Sequence, residues 1–130
     1  MAHYNFIFLA TLLLALITNF MSSSADTATF YTPPYNPAAC GFEVKGVMIA
    51  AGSQEIFDDG RACGHLFKVK CLAGTNNGVP HPCRGSGTVV VKLVDLCPSG
   101  CQGTIDLSQE AFAKIADPDA GKIEVSIERL

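Results

Sequence analysis

No tryptophan occurs in the chain, so flat aromatic platforms for stacking sugar rings are scarce and come down mainly to Tyr31 and Tyr35. Basic residues are few, nine against twelve acidic ones for a net charge of −3, and they form no tract. The electrostatic footprint that nucleic acid demands is therefore missing, which excludes it as a partner. No Asn-x-Ser/Thr triplet is present, so N-glycosylation is not expected. Charge of either sign is absent from Met1 to Ala25, yet the apolar run inside that stretch, Phe6 to Ile17, falls short of the about 20 residues that a membrane-spanning helix needs. Internal repeats, low-complexity tails and linkers are lacking too, and a chain of this size forms one domain with a modest core.

What the amino terminus does contain is the outline of a secretory signal. The apolar run leads into Met21-Ser22-Ser23-Ser24-Ala25, with Ser23 and Ala25 in the −3 and −1 places of a cleavage site. A signal peptide over residues 1–25, cut near Ala25–Asp26, and a mature domain over 26–130 are expected, with the product secreted and not stably inserted in a membrane. All six cysteines (Cys40, Cys63, Cys71, Cys83, Cys97, Cys101) lie after the signal. In an oxidising compartment they read as three disulfides, for which spacing alone leaves fifteen connectivities open. At the usual 2–4 kcal/mol each, roughly, the bridges supply as much as the net stability of a small domain. The cysteine spacings lack the close pairing of structural zinc sites, and His65 and His81 are isolated, so no metal and no cofactor are expected.

Short β-branched segments separated by Gly, Pro or Asn point to an all-β domain, a barrel or sandwich, with few helices. Strands are expected at Thr27–Tyr31, ended by Pro33-Pro34, at Val47–Ala51, and at His65–Cys71, where Phe67, Val69 and Cys71 share one face. The strongest is Thr88–Leu96, in which Val89, Val91, Leu93 and Asp95 fall on one face by strict alternation. Asp95 there ends an inward apolar row, which requires a partner or the edge of a groove, because an unpaired buried charge is too costly. Ile123, Val125 and Ile127 mark the last strand. One helix is predicted, with Ser108 as N-cap, Glu110 in its first turn, Phe112, Ile115 and Ala116 on one face, and Asp117-Pro118 as its stop. Gly85-Ser86-Gly87-Thr88 opens a strand and is a turn, not a phosphate loop. No serine stands in a nucleophile-elbow context.

Five separated words, Ala39-Cys40-Gly41, Gly60-Arg61-Ala62-Cys63-Gly64, Phe67-Lys68-Val69-Lys70-Cys71, Val94-Asp95-Leu96-Cys97-Pro98 and Asp106-Leu107-Ser108 through Ala111-Phe112 and Ile115-Ala116, occur in the order used by the expansin-like double-psi β-barrels. That group takes in the first domain of expansins, barwin-type proteins and family-45 endoglucanases. The resemblance covers essentially the whole mature chain, and the short single-domain form is similar to the plant natriuretic peptides. It implies a six-stranded double-psi β-barrel with one or two short helices, and the disulfides Cys40–Cys63, Cys71–Cys83 and Cys97–Cys101.

The same resemblance frames the function. Asp106 matches the acid of the hydrolases, though Thr104-Ile105 replaces the His-Phe that normally precedes it. No carboxylate follows Asp26 beside the first-strand motif, where the hydrolase base lies. Without a base hydrolysis is not expected, and Tyr31, Asp95 and Asp106 are left as candidates for a vestigial polysaccharide groove, as in expansins, which loosen walls without hydrolysis. The bland reading gives Asp95 a structural hydrogen bond and Asp106 a place near a helix dipole. The natriuretic likeness implies a monomeric apoplastic regulator of water and ion balance acting through a plasma-membrane receptor, of receptor-like kinase type, and cyclic GMP. Its activity is assigned to the segment here at Pro37–Phe67, with Phe42, Glu43, Lys45, Asp58, Asp59 and Arg61 as candidate receptor contacts. The Asp-Asp-Gly-Arg run reads equally as an ordinary hairpin turn. Cell-wall polysaccharide is the other partner implied.

Overall fold

The computed structural model describes residues 25–98 and 101–130. The expected signal peptide, residues 1–25, thus lies outside the described residues except for Ala25, as do Ser99 and Gly100 of the Cys97–Cys101 loop. Six strands close into a barrel: β1 (Asp26–Tyr31), β2 (Ile49–Gly52), β3 (Leu66–Gly74), β4 (Thr88–Leu96), β5 (Ile105–Ser108) and β6 (Ile123–Arg129). Around the barrel they run β1-β5-β2-β4-β3-β6. Pairings are antiparallel except for β1 with β5 and β2 with β4, which are parallel. The fold class expected from the sequence is the one observed, and among the described residues no helix is long and apolar enough to cross a membrane.

Alternation explains most of the barrel. Along β3 the even positions are exposed while Phe67, Val69 and Cys71 are buried, and on β4 Val89, Val91 and Leu93 face the same interior. Ala28, Ala50, Ile105, Leu107, Ile123 and Val125 complete that core, and Phe112 and Ile115 cap it. Burying such side chains contributes about 1.5–3 kcal/mol each against the ordering entropy. A smaller cluster of Val44, Ile49 and Val94, with Tyr35 and Ala38 packed on it, lies apart from the main core.

The helix carrying Phe112 is α2 (Gln109–Ile115); Ala116 after it is already extended, φ −154° and ψ 162°, as expected just before Asp117-Pro118. Its N-cap, Ser108, accepts from the Ala111 N–H at 3.0 Å and donates to the Val47 carbonyl. Two sequence expectations need correction. The second strand begins at Ile49, not Val47: Gly46 turns the chain with φ +77°, and Val47 is left exposed. Beyond β2 runs a second short helix, α1 (Gln54–Phe57), capped by Ser53, within the one or two helices that the resemblance implied. The Asp-Asp-Gly-Arg run is no hairpin turn but the left-handed exit from α1, with Asp58 and Asp59 both at φ 52°, a region that Asp tolerates better than most residues.

The three disulfides join Cys40 to Cys63, Cys71 to Cys83 and Cys97 to Cys101, the pairing that the resemblance implied. The first ties the long connection between β1 and β2 to the turn after α1, and the second ties β3 to the loop entering β4.

Ser108 is fully buried and satisfies two backbone groups from different segments. Ser108→Ala is expected to cost about 1–3 kcal/mol, read as a lowered urea midpoint with unchanged slope. A shift below a few tenths of a kcal/mol would contradict this account of the cap.

Candidate functional site

One register detail decides where the acidic residues sit. Ala50 pairs with Leu93, but its neighbour Ala51 pairs with Asp95, so β4 carries an extra residue, Val94, at that point. Such a bulge re-aims the side chains beyond it. Asp95 therefore does not end the inward row of Val89, Val91 and Leu93: it pairs with Ala51, which on its other side pairs with Asp106 of β5. Asp106 in turn pairs with Thr29 of β1. Directly paired residues share a face, so Thr29, Asp106, Ala51 and Asp95 form one rung across the outside of four strands. The Cα atoms of Asp106 and Asp95 are two strand spacings apart, about 10 Å, with only the alanine methyl between them.

The two carboxylates have different surroundings. Asp95 Oδ1 accepts from the Ala39 N–H at 2.8 Å and the Leu96 N–H at 2.9 Å, fastening the loop before Cys40 to the barrel. Asp106 Oδ1 accepts from Thr29 Oγ1 at 2.9 Å. Burial raises its carboxyl above the ordinary 3.8, and the Thr29 hydrogen bond offsets part of that rise. Asp106 lies on β5 ahead of the N-cap, and the carboxylate in the first turn of α2 is Glu110. The helix-dipole role considered for Asp106 thus falls to Glu110.

Tyr31 stands two residues beyond Thr29 on the same face of β1. Burial, followed by the negative charges of Asp95, Asp106 and then Tyr35, pushes its phenol far up. Its hydroxyl is buried and, among the described residues, has no hydrogen-bond partner, an uncommon state for a buried polar atom. Tyr35 meets the Tyr31 ring edge to face at 5.2 Å and donates to Glu110 Oε2 at 2.5 Å. Burial, with the Glu110 hydrogen bond and charge behind it, pushes Tyr35 up to about 12, while the same hydrogen bond draws Glu110 below its usual value. Thr29 was not singled out in the sequence, although the alternation of Thr27, Thr29 and Tyr31 places it on the tyrosine's face.

Beside Asp106 a cavity of about 330 Å³ is lined by Thr29, Phe30, Cys97, Pro98, Cys101, Gln102 and Asp106. The sulfurs of Cys97 and Cys101 and an Asp106 oxygen lie within 4.8 Å of one another, but the sulfurs are bonded to each other, which leaves one ligand and no metal centre there.

The candidate receptor contacts are on a separate part of the surface. Phe42 is exposed and lies under the Lys92 ammonium at 5.1 Å; Glu43 and Lys45 beside it are exposed as well. Phe42 and Glu43 line a hollow of about 440 Å³ with Asn36, Pro37, Ala38 and Gly41. The Asn36 side chain holds that loop in shape, donating to the Val44 carbonyl at 3.1 Å and accepting from its N–H at 2.8 Å. Arg61 Nη1 reaches Asp58 at 3.1 Å and Asp59 at 3.7 Å. The Cys40–Cys63 disulfide links the Phe42 loop to the Asp58–Arg61 turn.

Folding raises the Asp106 pKa, so the stability tied to this group is complete below its unfolded value of 3.8 and is lost as pH rises through the folded value. Asp106→Asn removes that loss. The variant's unfolding free energy relative to wild type is expected to grow as pH rises above about 4 and to level off once the pH has passed the folded value. Urea titrations at several pH values test this, and parallel profiles for the two proteins would contradict it.

Comparison with known proteins places these features in a family. A family model described as lytic transglycolase, of the double-psi β-barrel type, matches residues 49–127. An EG45-like domain containing protein from Citrus jambhiri is 58% identical over 118 residues, covering 90% of this chain and 89% of its own. EG45-like domain containing protein 2 from Arabidopsis thaliana is 39% identical over 98 residues, covering 75% and 74%. Among solved structures, a mutant of the Clavibacter michiganensis expansin in complex with cellohexaose superposes with a TM-score of 0.64 at 26% identity, covering 82% of this chain and 50% of that one.

Proposed function

The chain belongs to the EG45-like, expansin-related family of double-psi β-barrels, and we propose that within it this protein is a non-hydrolytic extracellular signal. In this reading it regulates water and ion balance through a plasma-membrane receptor, of receptor-like kinase type, and cellular cyclic GMP, as its likeness to the plant natriuretic peptides implies. The observation that carries the non-hydrolytic part is the state of Asp95. A glycoside hydrolase of the inverting kind needs one carboxyl as acid and a second, free to activate water, as base. Asp95 Oδ1 accepts from two backbone N–H groups, which supports a structural place for it, and β1 sets Thr29 rather than a carboxylate beside Asp106. Recognition falls instead to the Pro37–Phe67 segment, whose exposed Phe42, Glu43, Lys45, Asp58, Asp59 and Arg61 are carried on loops braced by Cys40–Cys63. Bracing of this kind lowers the ordering cost of binding.

Wall-free protoplasts treated with the mature protein are expected to swell and to raise cyclic GMP. Phe42→Ala with Asp58→Lys and Asp59→Lys should raise the half-maximal concentration about tenfold or more, the scale of losing an interface hot spot, whereas Asp106→Asn should not move it. An unchanged dose response for the loop variant would end the receptor reading.

A second reading, binding of a neutral wall glucan without cleavage, is favoured by the cavity that Thr29 and Asp106 line. A sugar hydroxyl seated there would meet the Asp106 carboxyl, and a mutant of the related expansin was solved with cellohexaose. Calorimetric titration with cellohexaose is expected to show binding that weakens at least about fivefold in Asp106→Ala. Release of shorter sugars during the titration would overturn the non-hydrolytic assignment.

A further inference from the structure

The side of the barrel away from Asp106 has an outer surface of opposite character. In the closed strand order β3 is three strands from β5 in either direction, so the two outer faces point away from each other. On β3, Leu66, Lys68, Lys70 and Leu72 are all exposed, and β4 adds Val90 and Lys92. The register interleaves them, with Leu66 opposite Lys92 and Lys68 opposite Val90. Leu66, Leu72 and Val90 are 45%, 52% and 42% exposed; Leu66 and Val90 share the paired face, and Leu72 stands at the β3 bulge just past the last β3–β4 pair. Lys68, Lys70 and Lys92 enter none of the ion pairs among the described residues. Glu128 stands opposite Lys68 on β6 at the border of the face without reaching salt-bridge distance. In a chain with net charge −3, this is a local concentration of positive charge without salt-bridge partners, set among apolar side chains, with Lys92 also resting over the Phe42 ring.

We propose that the outer face of β3 and β4 binds a linear acidic polysaccharide, a chain of uronate sugars, with Lys68, Lys70 and Lys92 pairing with its carboxylates and Leu66, Val90 and Leu72 packing against the C–H faces of the rings. Successive lysines on β3 are about 7 Å apart, and Lys92 continues the line diagonally on β4, so the charges repeat along a track as a charged polymer's do. The nearest hollow, about 350 Å³ between Leu72 and the Pro80–Cys83 loop, lies at one end of the lysine track and leaves the track itself open. An acidic peptide adding as an extra strand needs an open sheet edge, and a closed barrel offers none. An anionic membrane calls for contiguous apolar surface, commonly with aromatic side chains, to enter the lipid; here lysines interrupt the aliphatic residues. Charge complementarity therefore favours the polysaccharide.

The test uses the mature protein and polygalacturonate, with fully methyl-esterified polygalacturonate as the neutral counterpart. Wild type is expected to bind polygalacturonate, to lose affinity as salt rises from about 50 to about 300 mM, and to bind the ester at least tenfold more weakly. Lys68→Glu, Lys70→Glu and Lys92→Glu together should lower affinity tenfold or more. The matching Lys→Gln triple variant, milder for the fold, should fall between that variant and wild type. Equal binding of the ester, or unaltered binding by a triple variant whose melting is native, would overturn the proposal. So would tighter binding to polyglutamate or to phosphatidylserine vesicles than to polygalacturonate. Because Lys92 rests over Phe42, a Lys68→Glu, Lys70→Glu double variant that leaves Lys92 in place separates the two ideas: it should lose polygalacturonate affinity while protoplast swelling, the readout of signalling, stays unchanged.

Discussion

The barrel depends on the pairing of β5 between β1 and β2. Four residues, Ile105 to Ser108, form a parallel ladder on one side and an antiparallel ladder on the other, and without them the sheet would open into two edges. The four also divide three further duties among them. Ile105 and Leu107 fill the core, Asp106 supplies the acidic group of the outer face, and Ser108 starts the helix that caps the interior. Backbone pairing, burial, electrostatics and capping are thus compressed into one strand, and the alternation of a strand is what permits it: inward and outward residues follow one another without conflict.

Where one face is buried and the other wet, the sequence was legible. β3, β4 and β6 stand out because apolar residues such as Phe67, Val69, Cys71 and Ile123, Val125, Ile127 recur at every second place, with charged or polar residues between these six, and α2 stands out because Ser108 and Asp117-Pro118 punctuate it. β5 was visible only as a motif around Asp106, since four residues give too little alternation to identify a strand. The turn at Asp58 and Asp59 was hidden for another reason. Its left-handed backbone is set by the chain leaving α1, and Asp-Asp-Gly suits several kinds of turn equally.

The candidate site was half legible. Tyr31, Asp95 and Asp106 were identified, but their geometry depended on a one-residue offset that alternation assumes away. Counting by twos from Val89 puts Asp95 in the interior, and the bulge at Val94 places it beside Ala51 instead. Nothing in the local sequence marks that offset, because Val94 is as apolar as its neighbours and finds its own cluster with Val44 and Ile49. Long-range pairing with β2 determines it. Of the two N–H groups that Asp95 then accepts from, one belongs to its own neighbour Leu96 and the other to Ala39, on the connection between β1 and β2.

That single offset also bears on how such a barrel can change over generations. Because one extra residue in β4 decides which side of the wall an acidic group occupies, a change of one residue in strand length would exchange interior and exterior for everything beyond it, while the hydrophobic rows before it stayed in place. The acidic rung can accordingly be acquired, altered or discarded by lineages that share the same core. A scaffold of this kind lets chemistry drift while architecture is inherited.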